Sequence, residues 1–328
     1  MKNVVWIAFF TLHLSLCPVG AQTLTLVEMN CENLFDCEHD EGKNDEEFTP
    51  GGERQWTPAR YWRKLNGVGK SLLSCADDLP DIVAIIEAEN DKVLTDFTRK
   101  SLLRNAHYDF LMTDSPDLRG LDVALLYQPG SFKPLCYDAI EVTPLKSMRP
   151  TRDLFYVKGI AFETDTLHIF VVHAPSRYGG EIATIPHRRL VADRLCKALD
   201  ELPVGANIVV TGDFNDYADS PSMRLLMSHG MHNVTKQAVG QNGARGTYRF
   251  QGEWRSIDHV LVSSAMVPLV DSVYINDAKF LLQRDQDYGG VKPYRTFNSG
   301  RYQRDGLSDH LPLVVRFRKQ RPTLQRKP

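Results

Sequence analysis

Residues 209–216, VVTGDFND, decide the architecture of this chain. An apolar run reaches Gly212 and then ends in Asp213, Asn215 and Asp216. Such a run predicts a buried strand, and Gly, Asp and Asn commonly end strands because they favour turn conformations. A turn alone would explain them, so a chemical role for Asp213 and Asn215 requires matching polar residues elsewhere in the chain.

The composition is that of an ordinary soluble globular chain. Its 328 residues are 42% hydrophobic and 24% charged, which is enough for a sizeable core. The formal net charge of −2 gives no general attraction to nucleic acid or to anionic membranes. Because no repeat or composition shift marks a boundary, we expect one domain over residues 22–317 and a basic tail over residues 318–328.

The first residues have the pattern of a signal peptide over residues 1–21. Lys2 gives a positive start, residues 4–16 form an apolar core, and Val19-Gly20-Ala21 is a small-residue cleavage site. The apolar run is too short for a stop-transfer anchor and no second long run follows, so we expect no transmembrane anchoring. The predicted localisation is secreted or periplasmic, with cleavage after Ala21.

Five cysteines remain after that cleavage: Cys31, Cys37, Cys75, Cys136 and Cys196. An odd number leaves at least one thiol unpaired within the monomer. Cys31 and Cys37 are close enough in sequence to pair, but spacing alone fixes no connectivity. The lack of C-x-x-C or Cys/His ligand spacing argues against a structural zinc site.

Hydrophobic periodicity predicts strands alternating with a few helices. Strands are predicted at residues 23–30, 81–90, 121–127, 154–162, 167–173, 207–212, 257–263 and 311–317. Helices are predicted around residues 61–72, at 182–202, and from the Ser220-Pro221 start signal onward. Glu89 and Asn90 are expected to cap the helix that follows them. Helices coexist with strands joined by short turns, so the sheets should be mixed, packed together and covered by helices.

Polar residues of matching chemistry lie at or just beyond the ends of these predicted strands. They are Asn30, Glu87, His173, Asp213, Asn215, Asp258, Asp309 and His310. If those ends converge, they form a cleft with oxygen ligands and two imidazoles. Oxygen ligands without thiolates favour Mg²⁺ or Mn²⁺ over zinc. A metal, a base and imidazole donors together suit phosphodiester hydrolysis.

Six motifs, in this order, resemble those of the endonuclease/exonuclease/phosphatase family, which includes deoxyribonuclease I and exonuclease III. They are MNCENLFD (29–36), IIEAEN (85–90), VVHAPSR (171–177), TGDFND (211–216), SIDHVLVS (256–263) and LSDHLPLV (307–314). GDFN followed by SDH is specific as a pair, whereas either alone is weak. The resemblance covers residues 24–317 and implies an α/β (α+β) fold, a four-layer α/β-β/α sandwich of two mixed sheets with helices outside.

The resemblance also implies roles at a metal ion. Glu87 corresponds to the principal ligand, Asn30 to an assisting ligand, and Asp309 to a carboxylate near the metal, which would be Mg²⁺ or Mn²⁺. Asn33 is a second amide close to Asn30, and strand parity favours Asn30.

Further roles at the phosphate follow from the same resemblance. Asp213 corresponds to the residue that orients or deprotonates the attacking water, and Asn215 to the residue that holds a scissile phosphate oxygen. His310 corresponds to an imidazole at the phosphate, with Asp258 as the carboxylate that orients it.

His173 corresponds to the histidine that donates to the phosphate from the opposite side. In some members of the family that histidine pairs with an acid, and Asp122 is the candidate here. The chain departs from the family pattern in a long insertion before Ser308 whose role the motifs do not fix.

Basic residues near the motifs are candidates for substrate binding. Arg177, Arg295 and Arg301 are assigned that role, and residues 285–306, rich in arginine and aromatic residues, are expected to rim the cleft. The alternative is a structured loop whose aromatic residues pack on the sandwich and whose arginines are solvated.

The sequence therefore predicts a secreted, divalent-metal-dependent phosphodiester hydrolase, an endonuclease acting on DNA or RNA. Two alternatives stay open: a phosphodiesterase or phosphatase acting on a lipid or inositol phosphate, and a non-catalytic binding module on the same fold. The polar set is intact, which argues against the binding module. The resemblance to the family does not by itself decide whether the substrate is nucleic acid or another phosphodiester.

Overall fold

The computed structural model describes residues 22–146 and 148–320. The predicted signal peptide at residues 1–21 and the end of the predicted tail at residues 321–328 lie outside the described residues. The last described strand ends at Lys319, so residues 318 and 319 extend a strand instead of starting the tail.

Eighteen strands and four α-helices make up the described regular structure. The strands are β1 Gln22–Leu34, β2 Ile82–Ala88, β3 Asp109–Met112, β4 Asp122–Tyr127, β5 Lys133–Ile140, β6 Leu154–Ala161, β7 Asp165–His173, β8 Asn207–Asp213, β9 Met231–Asn233, β10 Tyr248–Phe250, β11 Glu253–Arg255, β12 Asp258–Ser263, β13 Val270–Ile275, β14 Leu282–Arg284, β15 Val291–Pro293, β16 Phe297–Asn298, β17 Arg301–Tyr302 and β18 Leu313–Lys319. The helices are α1 Pro58–Leu73, α2 Asp91–Thr95, which a π-helical turn (Asp96–Lys100) continues, α3 Glu181–Asp200 and α4 Pro221–Ser228.

Two six-stranded mixed sheets carry the fold. Sheet A has the order β13-β18-β1-β2-β4-β3 and sheet B the order β5-β6-β7-β8-β12-β9. Within them, β1 pairs with β2 and β7 with β8 in parallel, whereas the other pairs are antiparallel. The predicted mixed sheets are confirmed, as are all eight predicted strands and the three predicted helices.

Three hydrophobic clusters define four layers. The central one lies between the sheets, with Leu26 of sheet A and Ile169 of sheet B among its members. A second packs the outer face of sheet A against Leu65 of α1, and a third packs sheet B against Leu195 of α3. In β1, Leu26 is in the central cluster and Val27 in the outer one, so the strand is buried on both faces. The four-layer sandwich is confirmed.

Several strands are not predicted by the sequence because they lack a clear apolar pattern. Six of the eight residues of β5 are exposed, and β9 is only three residues long. Three two-stranded hairpins, β10–β11, β14–β15 and β16–β17, also lie between residues 248 and 302, before and after β12 and β13. The insertion before Ser308 contains the last two of these hairpins.

Asn90 caps α2 as predicted, because its side chain accepts a hydrogen bond from Val93 N. Glu89 does not act as a cap: its carboxylate accepts a hydrogen bond from Asp36 N at 2.6 Å, in the loop after β1. All five cysteines of the described chain are free thiols. The helices of the described chain are too short or too polar to cross a bilayer.

Candidate active site

A row of three polar residues crosses sheet B at one end. His173 is paired in register with Asp213 on the neighbouring parallel strand, and Asp213 is paired with Asp258 on the next, antiparallel strand. Gly212 lets β7 and β8 approach this closely, because a Cβ there would lie 2.0 Å from Val172 O. The glycine therefore has a packing role, and the aspartate after it stands in the middle of the row.

Asp213 is the centre of the hydrogen-bond network. Its Oδ2 atom accepts from Asn30 Nδ2 at 3.1 Å and from Asn215 Nδ2 at 3.2 Å, and its Oδ1 atom accepts from Asn215 N at 2.8 Å. Burial, assisted by repulsion from Asp258, raises the pKa of Asp213 to about 7. A carboxyl group with that pKa can take up and release a proton near neutral pH.

Both amides hold Asp213 in place. Asn30 Oδ1 accepts from Glu32 N, while Asn215 Nδ2 also donates to Ala174 O at 3.0 Å. The structure thus shows Asn30 and Asn215 as residues that position Asp213. Their predicted contacts with metal and with phosphate stay predictions.

His310 is oriented by Asp258, as predicted. Its Nδ1 atom lies 2.9 Å from Asp258 Oδ2 and 3.0 Å from Oδ1, and the hydroxyl of Thr247 also donates to Oδ2. Burial opposes the protonated form, but the carboxylates of Asp258 and Asp213 outweigh it and raise the pKa of His310 well above its ordinary value. His310 is therefore a cation, with Nε2 4.0 Å from Asp213 Oδ2.

His173 faces Asp213 from the other side and has the opposite charge state. Its Nε2 atom lies 4.0 Å from Asp213 Oδ2 and 3.6 Å from Glu87 Oε1. Burial, with the nearby Arg152 guanidinium, lowers the pKa of His173 well below its ordinary value. His173 is therefore neutral.

The predicted pairing of His173 with Asp122 is wrong. His173 Nδ1 has no hydrogen-bond partner among the described residues. Asp122 instead accepts from Thr113 Oγ1 at 2.6 Å and from Ser115 Oγ and N, so it anchors the segment before β4.

Glu87 reaches the cleft through a distortion at the end of β2. Its backbone has φ of 67°, in the left-handed region, and the pairing of β2 shifts register there against both neighbours. The carboxylate accepts from Asn33 N at 2.7 Å through Oε2, which leaves Oε1 facing His173. A regular strand would have aimed this side chain elsewhere, so the bulge places Glu87 in the site.

Arg295 is fixed at the opposite edge of the site by two acids. It donates through Nη2 to Asp309 Oδ2 at 3.1 Å and through Nε to Glu32 Oε1 at 3.2 Å. Below it, the buried Lys64 donates to the carbonyl oxygens of Glu32 and Leu307. These contacts bring Arg295 and Asp309 to the cleft as one unit.

The cleft around these residues has a volume of about 1080 Å³. Its lining includes Glu87, His173, Asp213, Asn215, Asp309 and His310 together with several residues that sequence reasoning missed: Arg119, Arg149, Arg152, Tyr178, Tyr248 and Phe250. The signals for the missed residues were weak, because isolated arginines and tyrosines in loops are most often solvated.

The family model for the endonuclease/exonuclease/phosphatase family matches residues 25–319. The chain belongs to this family. A search of curated proteins finds no match.

Solved structures with the same fold come from proteins of different activity. A humanized TDP2 of D. rerio has a TM-score of 0.57 and 16% identity, over 90% of this chain and 98% of that one. A mannosyl-6-phosphatase of Bacteroides thetaiotaomicron has a TM-score of 0.59 and 17% identity, over 89% and 98%. The human Nocturnin catalytic domain has a TM-score of 0.55 and 15% identity, over 90% and 97%. At these identities the likeness shows the fold alone.

Members of the endonuclease/exonuclease/phosphatase family are metal-dependent hydrolases of phosphoester bonds, and the donors of this cleft fit a hard cation. Glu87 forms no ion pair with a lysine or arginine within the described ranges. Asp309 offers a second carboxylate at the cleft. Ligand atoms of Asp213, Asp258 and His310 also lie within 4.8 Å of one another, but the last two are already bonded together. Glu87 is therefore the better candidate ligand, and Asp309, which also accepts a hydrogen bond from Arg295, is the second.

The three arginines predicted to bind substrate have different positions. Arg295 and Arg177 line the cleft, with the Arg177 guanidinium 3.9 Å from the ring centroid of Tyr217 and paired with Glu181. Arg301 is exposed on β17 and is not part of the lining. The structure therefore separates Arg301 from the site.

The predicted rim at residues 285–306 is right in part. Arg295 lines the cleft, but Phe297 and Tyr302 pack around the buried Trp56. Those aromatic residues belong to the core of sheet A, which was the alternative interpretation of the segment.

Proposed function

We propose that the protein is a Mg²⁺- or Mn²⁺-dependent phosphodiester hydrolase that cleaves nucleic acid by attack of water. The observation that carries the proposal is the group of His173, Asp213 and His310, in which a carboxyl group of pKa about 7 lies 4.0 Å from a neutral and from a protonated imidazole. A base between a neutral and a cationic hydrogen-bond donor suits in-line attack of water on a phosphodiester.

In this proposal Asp213 accepts the proton of the attacking water, and its position is fixed by Asn30 and Asn215. His310, held as a cation by Asp258, donates to a phosphate oxygen and stabilises the charge that develops there. His173 directs Nε2 toward the same space and offers a neutral hydrogen bond.

Glu87 and Asp309 would hold the metal ion. When bound, such an ion neutralises charge on the phosphate and leaving-group oxygens.

The lining of the cleft supports a nucleic acid substrate. Arginines on both sides provide contacts to a polyanionic backbone. Tyr178 and Phe250, which are 91% and 58% exposed, present apolar rings at the cleft. Exposed rings beside cationic groups suit unstacked bases of a single strand.

A second candidate is a phosphatase acting on a sugar, lipid or inositol phosphate. The observation that favours it is the compact basic wall formed by Arg119 and the buried Arg152 on either side of Asp117. Arg152 lines the cleft, and its buried Nε atom has no partner in the described structure.

A substrate panel decides between the two. With Mg²⁺ or Mn²⁺, we expect cleavage of single-stranded oligonucleotides and bis-p-nitrophenyl phosphate, and loss of both activities in Asp213→Asn. Release of phosphate from p-nitrophenyl phosphate or inositol phosphates with intact oligonucleotides would favour the phosphatase. No activity on any substrate with either metal would favour a binding module.

We also propose that the protein is secreted or periplasmic, on the basis of the predicted signal peptide. Fractionation of expressing cells and N-terminal sequencing test this directly. A mature chain that starts at Gln22 outside the cytoplasm is the expected result, and an unprocessed cytoplasmic chain would contradict it.

A further inference from the structure

A side pocket of about 150 Å³ adjoins the candidate active site. Four residues line both the pocket and the cleft: Tyr248, Phe250, Arg295 and Asp309. Because Arg295 and Asp309 belong to the site described above, the pocket lies within reach of a group that is covalently attached to a phosphate bound in the cleft. The rest of its wall comes from the β10–β11 turn and from residues 285–298. We call it the hairpin pocket.

A buried arginine locks the two hairpins that form the pocket. The side chain of Arg249, on β10, is 7% exposed and pairs with Asp285 Oδ2 at 3.1 Å. It also donates through Nε to Gly252 O at 3.0 Å, in the β10–β11 turn, and through Nη1 to Val291 O at 2.6 Å, in β15. Asp285 Oδ1 in turn accepts from Tyr288 N at 3.4 Å. These bonds fix the backbone on both sides of the pocket, so its two walls keep their spacing.

Two exposed aromatic rings line the hairpin pocket. Phe250 is 58% and Tyr288 59% exposed. The Tyr288 ring lies directly against the β10–β11 turn, because a Cβ at Gly252 would lie 2.8 Å from Tyr288 Cγ. Gly252 also has φ of 83°, in the left-handed region that favours glycine. Large apolar rings exposed together at a cavity mark a binding surface, and rings of this kind stack on nucleobases.

Two amides at the pocket provide both donors and acceptors. The side chains of Gln251 and Asn298 line the pocket and are exposed, and neither amide has a hydrogen-bond partner among the described residues. Each amide offers an N–H₂ donor and a carbonyl acceptor. The edge of an unpaired nucleobase presents the matching mixture of acceptors and donors.

The size and the acids of the pocket favour a nucleobase over a sugar. Pockets for drug-sized ligands have roughly 300–1,000 Å³, so about 150 Å³ holds a single ring system. Asp285 is paired with Arg249 and Lys292, and Asp309 is paired with Arg295. Both carboxylates are thereby occupied and do not offer free acceptors to sugar hydroxyl groups, whereas stacking on the two rings needs only a flat ligand.

We propose that the hairpin pocket binds the base of a nucleotide that adjoins the scissile phosphate. Phe250 and Tyr288 stack on the base, and the amides of Gln251 and Asn298 contact its edge. Arg295, which lines both cavities, lies where the connecting phosphate would pass. On the proposed nuclease function, on which this assignment rests, single-stranded nucleic acid is preferred over duplex, because a base in the pocket is unpaired and unstacked.

Nucleotide binding tests the pocket without catalysis. Every protein carries Asp213→Asn so that the ligands stay intact, and titration calorimetry in Mg²⁺ uses the 3′- and 5′-monophosphates of deoxyadenosine and thymidine. Deoxyribose 5-phosphate is the reference ligand without a base. We expect at least one nucleotide to bind roughly tenfold more tightly than the reference, because its base stacks. Tyr288→Ala should remove most of that difference, and Tyr288→Phe should keep it.

The matched control is Tyr137→Ala. Tyr137 lies on β5, outside the lining of both cavities, and is 57% exposed, close to the value for Tyr288. This variant should keep the preference for nucleotides. Phe250→Ala should reduce it as Tyr288→Ala does, and it decides the test if Tyr288→Ala does not fold.

Three results would overturn the assignment: equal affinity for nucleotides and deoxyribose 5-phosphate, an unchanged difference after Tyr288→Ala and Phe250→Ala, or glucose 6-phosphate that binds more tightly than the nucleotides and depends on Tyr288. Oligonucleotide cleavage by the unsubstituted protein tests the proposed function separately. Nucleotide binding that depends on Tyr288 without any cleavage would refute the nuclease and support the pocket. Cleavage with nucleotide binding that does not depend on Tyr288 would do the reverse.

Discussion

The two sides of Asp213 are nearly symmetric in distance and opposite in charge. His310 and His173 each place Nε2 4.0 Å from Asp213 Oδ2, and both imidazoles are buried. His310 has the Asp258 carboxylate behind it and is held protonated, whereas His173 has an unpartnered Nδ1 and nearby arginines and is held neutral. The comparison shows that the groups around each imidazole, and not the distance of the imidazole from Asp213, determine its protonation state.

The largest effect is expected from removing the carboxylate that both histidines face. Asp213→Asn should lower kcat by about 10³-fold or more, because it removes the carboxylate proposed to take the proton of the attacking water. Steady-state kinetics on bis-p-nitrophenyl phosphate measure this. Asp219→Asn, an exposed acid six residues on, serves as control and should keep full activity. Residual activity in Asp213→Asn within tenfold of the wild type would remove Asp213 as the base.

Removing Asp258, the acid that orients His310, tests the role of His310. Asp258→Asn should lower kcat by roughly 10–100-fold, since the ring loses both its orientation and its charge. KM should change much less, because Asp258 does not line the cleft. An equal change in KM and kcat would instead indicate a disturbed binding surface.

The pH profile sharpens the comparison. As pH rises through about 7, Asp213 loses its proton and kcat/KM should increase; at higher pH His310 loses its proton and kcat/KM should fall. Asp258 raises the pKa of both groups, so both limbs should move to lower pH in Asp258→Asn. A profile at saturating metal tests this. Limbs that stay in place would show that other groups control them.

The smallest effect is expected from replacing an arginine at the rim of the cleft. Arg295→Ala should raise KM for a long oligonucleotide by roughly tenfold, the value of one charge-assisted hydrogen bond. The loss on bis-p-nitrophenyl phosphate should be smaller and reflect the hydrogen bond that Asp309 loses. Arg301→Ala is its matched control and should change neither, because Arg301 lies outside the cleft lining. A loss in Arg301→Ala equal to that in Arg295→Ala would return Arg301 to the site.

The proposed catalytic side chains could be recognised in the sequence because they lie at the ends of strongly apolar strands. A carboxylate after five buried residues, as in Asp213, is easy to recognise. The relative placement of the strands was less accessible, since the alignment of His173, Asp213 and Asp258 depends on one parallel and one antiparallel register that no local pattern encodes.

The failures have a different cause. Asp122 was paired with His173 on motif grounds, but nearby hydroxyl donors of Thr113 and Ser115 satisfy it instead. Arg152 is buried by tertiary contacts with Asp117, and a buried arginine in a loop has no periodic signature. The hydrogen-bond partners of Asp122 and the burial of Arg152 depend on the tertiary structure, which the sequence pattern does not encode.

The register of sheet B positions the proposed catalytic residues, whereas the residues proposed to contact the substrate lie outside it. His173, Asp213 and Asp258 are spaced by the backbone ladder itself, so their separation is as stiff as the sheet. The arginines and aromatic rings of the rim lie on loops and short hairpins outside that ladder, and the segment of Thr247 and Tyr248 contacts it through Asp258 and His310. For a protein engineer, a graft of rim residues from another member of the family that keeps Thr247 and Tyr248 should change substrate preference without moving the three residues of the ladder.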